Sequence, residues 1–544
     1  MRAFTVLIAC LAMAGPPALA QGLVANDRSL ADTVREEAAR AAAREAAETA
    51  KPGLAIDITP VDPVEAEAFC VSITSINVEG ITLLPDDQVN ETLTRYARDC
   101  IGPVGVDQLL QALTDLYLES GYITSRAYIP EQDISTGILT LVVVEGFVEA
   151  VAISHVVNGQ PREDVPASRI SRALGLRAGD TLELRTLEQG LDQVSRAPSA
   201  QTALDIQPGT KIGGSVLVLE IADTDRVRGD VSLLNSIQDG EVAPRLSFNF
   251  AADNLLQFND IWNISFFGTD TSNALTGRVA LPLHRATIDV NFGFSEQLSL
   301  ISPTVELLEQ TPSFGLGYTY LIHRDANKKT RLSASHSREK TFRYVNGVSL
   351  TPTEIWLTRI GLDRDIIGNG SFTGLSAALS RGQADGGGGY NILELSARHF
   401  RSFENNHQLY VSISAQGASD PLPSAHRIFI GGTGAVRGFE AASFGGDSGL
   451  TLSAEYSWPQ LFETPNESKL MMDFGDMQPY VFWDAGAIDQ VNGPDASMTS
   501  VGGGLRGAIG RVTLDLSIAM PVAASGLARQ QGMSLRMTVG TKIF

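Results

Sequence analysis

The chain has 544 residues, a formal net charge of −21 and a hydrophobic content of 43%. That length accommodates several domains, and that acidity argues against nucleic-acid binding, which needs a basic footprint. Beyond the N-terminus no apolar run approaches the roughly 18 residues of a membrane-crossing helix, although a transmembrane β-barrel would leave no such run, because only alternate residues of its strands meet lipid.

Met1-Arg2, the apolar stretch Phe4–Met13 and Ala18-Leu19-Ala20 before Gln21 predict a secretory signal peptide over residues 1–20. Cys10 would leave with it. Cys70 and Cys100 remain as an even pair in an oxidising compartment, so a disulfide is expected, with two reduced small apolar residues as the alternative. Without a nearby histidine pair they make no zinc signature.

Residues 21–51 are expected to carry an N-terminal helix over Ser29–Lys51, rich in Ala, Glu and Arg. Ser29-Leu30-Ala31-Asp32 has capping-box form, and Lys51-Pro52-Gly53 stops it. Its apolar positions are mostly Ala, which suits a polar lumen better than a core or a lipid surface. About 22 residues span about 33 Å, close to the roughly 30 Å of a bilayer core. A plug helix is one reading and a solvated spacer the other. Residues 52–69, with Pro52, Pro60 and Pro63, read as a linker.

Two modules of similar order follow, 70–147 and 148–224. The first reads as strand Ser72–Val78, helices Pro85–Asp99 and Val106–Ser120, and strands Ala127–Ile129 and Ile138–Val144. The second reads as strand Ala150–His155, helices Glu163–Leu174 and Thr186–Arg196, and strands Ala203–Gln207 and Ser215–Ile221. Small mixed sheets with open edges can accept an extended peptide as an added strand.

From 225 to 544 helical periodicity gives way to period-two segments of about ten residues. Leu450, Leu452, Ala454, Tyr456 and Trp458 alternate with Thr451, Ser453, Glu455 and Ser457. Charges keep to one face and aromatic residues end several apolar faces, as a membrane girdle requires. Sixteen such segments predict a sixteen-stranded antiparallel transmembrane barrel whose chain ends face the periplasm. Short turns such as Leu283-His284 and Asp325–Asn327 would lie there, with longer external loops at Glu296–Gln310, Glu339–Leu350 and Gly417–Asp447. Pro459–Met477 is long for a periplasmic connection.

The loop Gly417–Asp447 contains Gly431-Gly432-Thr433-Gly434-Ala435-Val436-Arg437-Gly438-Phe439, one cation among glycines that permit positive φ and close approach. Its expected partner is Phe482-Trp483-Asp484-Ala485-Gly486, where Asp484 interrupts an apolar strand. Strand alternation puts Phe482, Asp484 and Gly486 on one face, and a charge on the lipid face would cost about 2–4 kcal/mol. Asp484 is therefore expected in the lumen, with Arg437 reaching it from the loop. A mobile surface loop with a solvated Arg437 is the alternative.

These features resemble the outer-membrane transporters of two-partner secretion, the TpsB type of the ShlB/FhaC/HecB haemolysin secretion/activation family. That type shares a superfamily with the outer-membrane assembly factors. Gly121-Tyr122-Ile123-Thr124-Ser125-Arg126-Ala127-Tyr128-Ile129-Pro130-Glu131-Gln132-Asp133, followed by Gly137–Gly146, resembles its first POTRA domain, and Thr186–Ser199 with Ile206–Gly214 its second. Val436-Arg437-Gly438-Phe439 is similar to the superfamily motif on the sixth external loop, and Phe482–Gly486 to its partner on the thirteenth strand. The resemblance implies a plug helix, two periplasmic POTRA domains and a sixteen-stranded barrel. It also implies export of an exoprotein recognised through its N-terminal secretion domain, contact with outer-membrane lipid, and insertion by the barrel assembly machinery. Phe544 ends the chain as family barrels end, but Lys542 stands where many carry an aromatic residue.

No P-loop, ligand-spaced histidine set or Ser/His/Asp spacing is present in the sequence, and Arg437 occupies the third position that a dinucleotide loop would give to glycine. A transporter without a cofactor is therefore expected rather than an enzyme, with an assembly or insertase factor of the same superfamily as the alternative.

Overall fold

Leu109, Leu113 and Tyr117 recur every four residues, which places them on one face of a helix, and all three are fully buried. Opposite them Leu139, Leu141 and Val143 alternate along a strand and are buried too. These two stripes make the core of the first module, in a computed structural model that describes residues 69–543 with Glu67, apart from 97–98, 158–159, 163–171, 239–240, 386, 433, 440–443, 460–476, 492, 527 and 529–530. The expected signal peptide and plug helix, nearly all of the linker, most of the helix expected over residues 163–174, residues 460–476 of the connection 459–477 and Phe544 lie outside the described residues.

The first module contains β1 (Ser75–Glu79), α1 (Asp86–Tyr96), α2 (Pro103–Glu119), β2 (Arg126–Tyr128) and β3 (Ile138–Val144), with β3 between the other strands, parallel to β1 and antiparallel to β2. Cys70 and Cys100 are bridged across a separation of 30 residues. Beside the bridge, the Glu67 carboxylate accepts hydrogen bonds from the backbone N–H groups of Gly102, Val104 and Gly105, at 3.1, 3.0 and 2.7 Å. An anion there satisfies orphan donors of α2 and opposes its dipole.

The second module has β4 (Phe147–Val157), β5 (Gln160–Arg162), α3 (Leu184–Val194), β6 (Ala200–Pro208) and β7 (Gly214–Asp223) in the sheet order β5-β4-β7-β6. Leu217, Leu219 and Ile221 of β7 face Leu187 and Val194 of α3 across its core. The two modules meet through main-chain bonds: Leu184 N–H donates to the carbonyl of Gly121 at 2.9 Å, and Leu182 N–H to that of Gly146 at 3.2 Å. Ser125, fully buried, accepts from Gly146 N–H at 3.0 Å. Gly121 and Gly146, both in stretches quoted above for their resemblance, thus make the intermodule joint, with Ser125 fixing Gly146.

Sixteen strands then close into an antiparallel barrel, the first (Val227–Gln238) pairing the last (Ser534–Lys542) from Asp230↔Lys542 to Gln238↔Ser534. Leu332, Ile360, Leu362 and Leu379 lie on one exposed apolar face, while Arg331, Asp363 and Asp365 on the alternate positions face inward. The sixth strand, Val305–Arg324, has 20 residues, about 66 Å of chain at about 3.3 Å per residue, more than a bilayer needs even when tilted.

Two expected external loops are therefore mostly strand. Over residues 296–310 the fifth strand continues to Ser302 and the sixth begins at Val305. Over 339–350 the seventh strand runs to Val345 and turns at Asn346-Gly347, whose φ angles are 48° and 77°. Those angles make the two-residue turn that matches strand twist. Cross-strand polar pairs carry the ladders past the membrane: Gln310 donates to Glu296 at 2.6 Å and Arg343 to Glu309 at 2.7 Å. Polar side chains were thus part of the sheet rather than a sign of its end.

Candidate functional site: the loop-six latch and the docked module

The eleventh strand (Gln408–Ala418) and the twelfth (Ser448–Ser457) are joined by a loop that folds back into the barrel rather than over it. Inside it makes a short ladder of Ile428–Ile430 with Phe444–Gly446. Its feet are tied by buried polar groups. Asp447 accepts from the N–H groups of Leu422 and Val491, both at 2.8 Å, and Gln416 Nε2 donates to the carbonyls of His426 and Asp447 at 3.0 and 3.1 Å.

The loop tip meets the thirteenth strand, Gln478–Asp489. Asp484, wholly buried, accepts from Arg437 Nε at 2.7 Å, Arg437 Nη2 at 2.9 Å and the Arg437 backbone N–H at 3.1 Å. The guanidinium lies over Phe482 with its carbon 3.5 Å from the ring centroid, which adds a cation–π attraction in a desolvated place. Val436 and Phe439 are buried with Ile430, Ile488 and Met498, so the tip is held by an apolar cluster as well as by charge. Gly438 has φ +91°, which disfavours any side chain there. A Cβ on Gly486 would come within 2.9 Å of both Ile430 and Val436, so that glycine makes room for the loop. Val436, Arg437, Gly438, Phe439, Phe482, Asp484 and Gly486 therefore stand in one cluster.

The latch also contains residues that sequence reasoning did not single out. Glu455 on the twelfth strand accepts from Arg437 Nη1 at 2.8 Å and, through its other oxygen, from Arg506 Nη1 at 2.7 Å. Ser453 donates to Asp484 at 2.7 Å and accepts from Arg437 Nη2 at 3.2 Å. Arg506 also donates to Ser457 at 2.8 Å and lies over Tyr480, whose hydroxyl donates to Asp515 at 2.7 Å. Gln238 of the first strand donates to the Gly438 carbonyl at 2.6 Å. Two guanidiniums thus face the two carboxylates of Asp484 and Glu455, a balance that a low-dielectric site requires. The signal for Glu455 was its place among the polar alternates of its strand. Its partners follow only from register, which sets Ser453 opposite Asp484 and Glu455 opposite Phe482. Among the described residues no group of three or more His, Cys, Asp or Glu side chains could hold a metal ion.

On the periplasmic side α3 seats on the turns between barrel strands. Gln193 Nε2 donates to the carbonyls of Leu283 and Ala286 at 2.5 and 3.1 Å, and Gln189 Nε2 to that of His284 at 3.0 Å. Asn259 Nδ2 donates back to the carbonyls of Gln193 and Val194 at 3.0 and 3.2 Å. Asp192 accepts from Arg324 and Lys329, both at 2.5 Å. Crowding by the docked turns opposes its charge, but those two cations outweigh this and hold its carboxyl below the ordinary range.

A profile of the haemolysin secretion/activation protein ShlB/FhaC/HecB matches residues 213–507, a ShlB-type POTRA domain matches 71–146, and a further POTRA domain matches 152–208. The chain belongs to the ShlB/FhaC/HecB family. It is 27% identical over 446 residues to the outer membrane transporter CdiB of Escherichia coli, covering 78% of this chain and 74% of that protein. It is 28% identical over 463 residues to the hemolysin transporter protein ShlB of Serratia marcescens, covering 78% and 79%. Among solved structures, CdiB from Escherichia coli superposes with a TM-score of 0.82 at 23% identity, over 97% of this chain and 100% of that one. CdiB from Acinetobacter baumannii gives 0.77 at 16% identity, over 96% and 100%. Both likenesses show the shared fold. As a member of this family the chain is an outer-membrane translocator of two-partner secretion that acts with a secreted exoprotein, and its POTRA domains lie in the periplasm.

Proposed function

We propose that the chain exports one large exoprotein in unfolded form, and that it does so as a conduit rather than an enzyme, without a cofactor. The observation that carries the reading is the pairing of a loop latched inside the lumen by Arg437 and Asp484 with a periplasmic module seated on the rim by α3. One part shapes the conduit, and the other sits where a chain arriving from the periplasm must enter.

In this reading residues 1–20 direct secretion, 21–51 plug the pore, 52–69 link the plug to POTRA domains at 70–147 and 148–224, and 225–544 span the membrane. Open sheet edges of the POTRA domains take the N-terminal secretion domain of the exoprotein as an added strand. The plug leaves, the exoprotein passes as a loop or hairpin, and its folding outside draws the rest through. The barrel contacts outer-membrane lipid and is inserted by the barrel assembly machinery. Export of the cognate exoprotein should stop in a deletion strain and return with the intact gene, while other outer-membrane proteins assemble normally. Continued export would overturn the reading, and accumulation of unassembled barrels would point to an insertase.

A further inference from the structure

In an antiparallel ladder, residues directly opposite each other share a face. Across strands six to nine this rule aligns Phe314, Arg338 and Trp356 in one row and Leu316, His336, Thr358 and Arg381 in the next. The rows below them, toward the periplasm, contain the exposed Ile360 and Leu379, so this face meets lipid. Arg338, Lys340 and Arg381 thus project outward at the external boundary of the apolar belt. Along other strands the outward rows reach that boundary with Glu296, Asn391, Asp489 or Ser497. The cations stand on the seventh and ninth strands, on either side of Trp356 and Glu354 of the eighth.

Their setting is built. Arg338 donates through Nε and Nη2 to the two oxygens of Glu354, both at 2.8 Å, and its guanidinium lies 5.2 Å from the Trp356 ring centroid. His336 stacks on Trp356 with centroids 5.3 Å apart and planes 22° from parallel. Lys340 lies over Phe342 at 5.1 Å, and Arg381 donates to Asn391 at 3.1 Å. Two carboxylates are near, Glu354 and Asp385. Three cations against two carboxylates leave the cluster positive, with Lys340 and Arg381 outside the Arg338–Glu354 pair.

We propose that strands seven to nine carry a site for the phosphorylated sugar headgroup of an anionic glycolipid in the outer leaflet. The phosphates would be met by Arg338, Lys340 and Arg381, because a guanidinium binds a phosphate with two parallel hydrogen bonds and an ammonium acts as a point charge. The stacked pair His336 and Trp356 offers a flat face to a sugar ring. Ala334, between Tyr318 and Ile360 in register, leaves a shallow trough for an acyl chain just below. The proposal rests on the outer-membrane location and not on the export reading, so the two can fail separately.

The test uses the full chain, purified and delipidated, with binding measured by native mass spectrometry and Trp fluorescence. The probes are diphosphorylated lipid A, its dephosphorylated form and inorganic phosphate. About fivefold per cation at a membrane surface predicts that R338A/K340A/R381A weakens lipid A binding about a hundredfold. R364A, outward on the eighth strand but at its periplasmic end, should leave binding unchanged. Heat-modifiable migration checks that each variant is folded, and R381Q alone, expected to lose about fivefold, serves if the triple variant does not assemble. Equal affinity of the wild type and the cation variant would overturn the proposal. So would equal binding of the dephosphorylated lipid. Competition by inorganic phosphate at the same concentration as lipid A would reassign the site to free phosphate.

Discussion

Arg437 and Glu455 meet at 2.8 Å inside the barrel, and the second oxygen of Glu455 is held by Arg506 at 2.7 Å. The loop is therefore tied to the twelfth strand through a bridge that also reaches the fourteenth. Glu455→Ala should leave both guanidiniums short of a counterion, and Glu455→Gln should keep the shape but lose the charge. Both are expected to assemble and to export poorly, with Glu455→Ala the worse. Full export by Glu455→Ala would show that the loop is held without the bridge through Glu455.

Asp484 takes three hydrogen bonds from Arg437, one of them from its backbone. Removing one partner of such a buried pair costs about 3–5 kcal/mol locally, small against a barrel closed by sixteen paired strands. Arg437→Ala and Asp484→Ala should each be inserted and heat-modifiable but largely export-defective. Because both remove one interaction, the double variant should be little worse than either single one. Additive losses would mean that the two residues act apart.

Alternation made the barrel legible, since a charge such as Asp484 amid apolar residues can only face the lumen. Alternation says nothing about which residues stand opposite. Glu455, Ser453 and Arg506 were visible as polar positions, but their meeting point depends on a register set by sixteen strands together. The external hairpins were misjudged for a related reason. Above the membrane water meets both faces, so residues such as Glu296, Glu309 and Arg343 continue a strand without an apolar side, and Asn346-Gly347 was the local sign of the turn.

The Cys70–Cys100 bridge closes a loop with a sequence separation of 30 residues, worth about 3–4 kcal/mol in the chain-entropy model. Reduction should make the first module more susceptible to proteolysis in the folded protein while the barrel stays resistant. Glu67→Ala should add to the effect, because it uncaps α2 beside the bridge, at about 0.5–2 kcal/mol. Unchanged proteolysis after full reduction would remove the bridge from the account of stability.

Glu145 ends the first module and holds it closed. Its carboxylate accepts from Thr82 through both N–H and hydroxyl, from Leu83 N–H at 2.8 Å and from the Tyr117 hydroxyl at 2.8 Å. Burial opposes its charge, but these donors outweigh burial and hold the group below its ordinary value of 4.5. A carboxyl with a depressed folded value adds stability that is present above the unfolded value and lost as pH falls through the folded one. The first module should therefore weaken below about pH 4.5, and Glu145→Gln should flatten that dependence while lowering stability at neutral pH. Burial, with Glu145 beside it, pushes the Tyr117 hydroxyl well above its usual range, so it donates throughout. Denaturant midpoints across pH, read by proteolysis of this module, would decide, and an acid dependence equal in Glu145→Gln and the wild type would count against it.

The seat of α3 on the barrel rests on two kinds of contact, and magnitudes separate them. Asp192 meets Arg324 and Lys329, but its side chain is 43% exposed, so each ion pair is worth about 0–1 kcal/mol and is screened by salt. Gln193 is 5% exposed and satisfies two barrel carbonyls, which would be stranded at about 1–3 kcal/mol if its amide were removed. The amide should therefore hold the module and the ions tune it. Arg196 donates to Thr287 at 2.5 Å, so cysteines at these two positions, joined by a bifunctional thiol crosslinker long enough to replace the arginine's reach, report docking by their rate of crosslinking. Asp192→Ala should slow that rate modestly and remove its dependence on salt. Gln193→Ala should slow it severalfold at any salt concentration and reduce export. If Asp192→Ala alone released the module while Gln193→Ala left it docked, charge would be the holding force, and the seat would open with ionic strength.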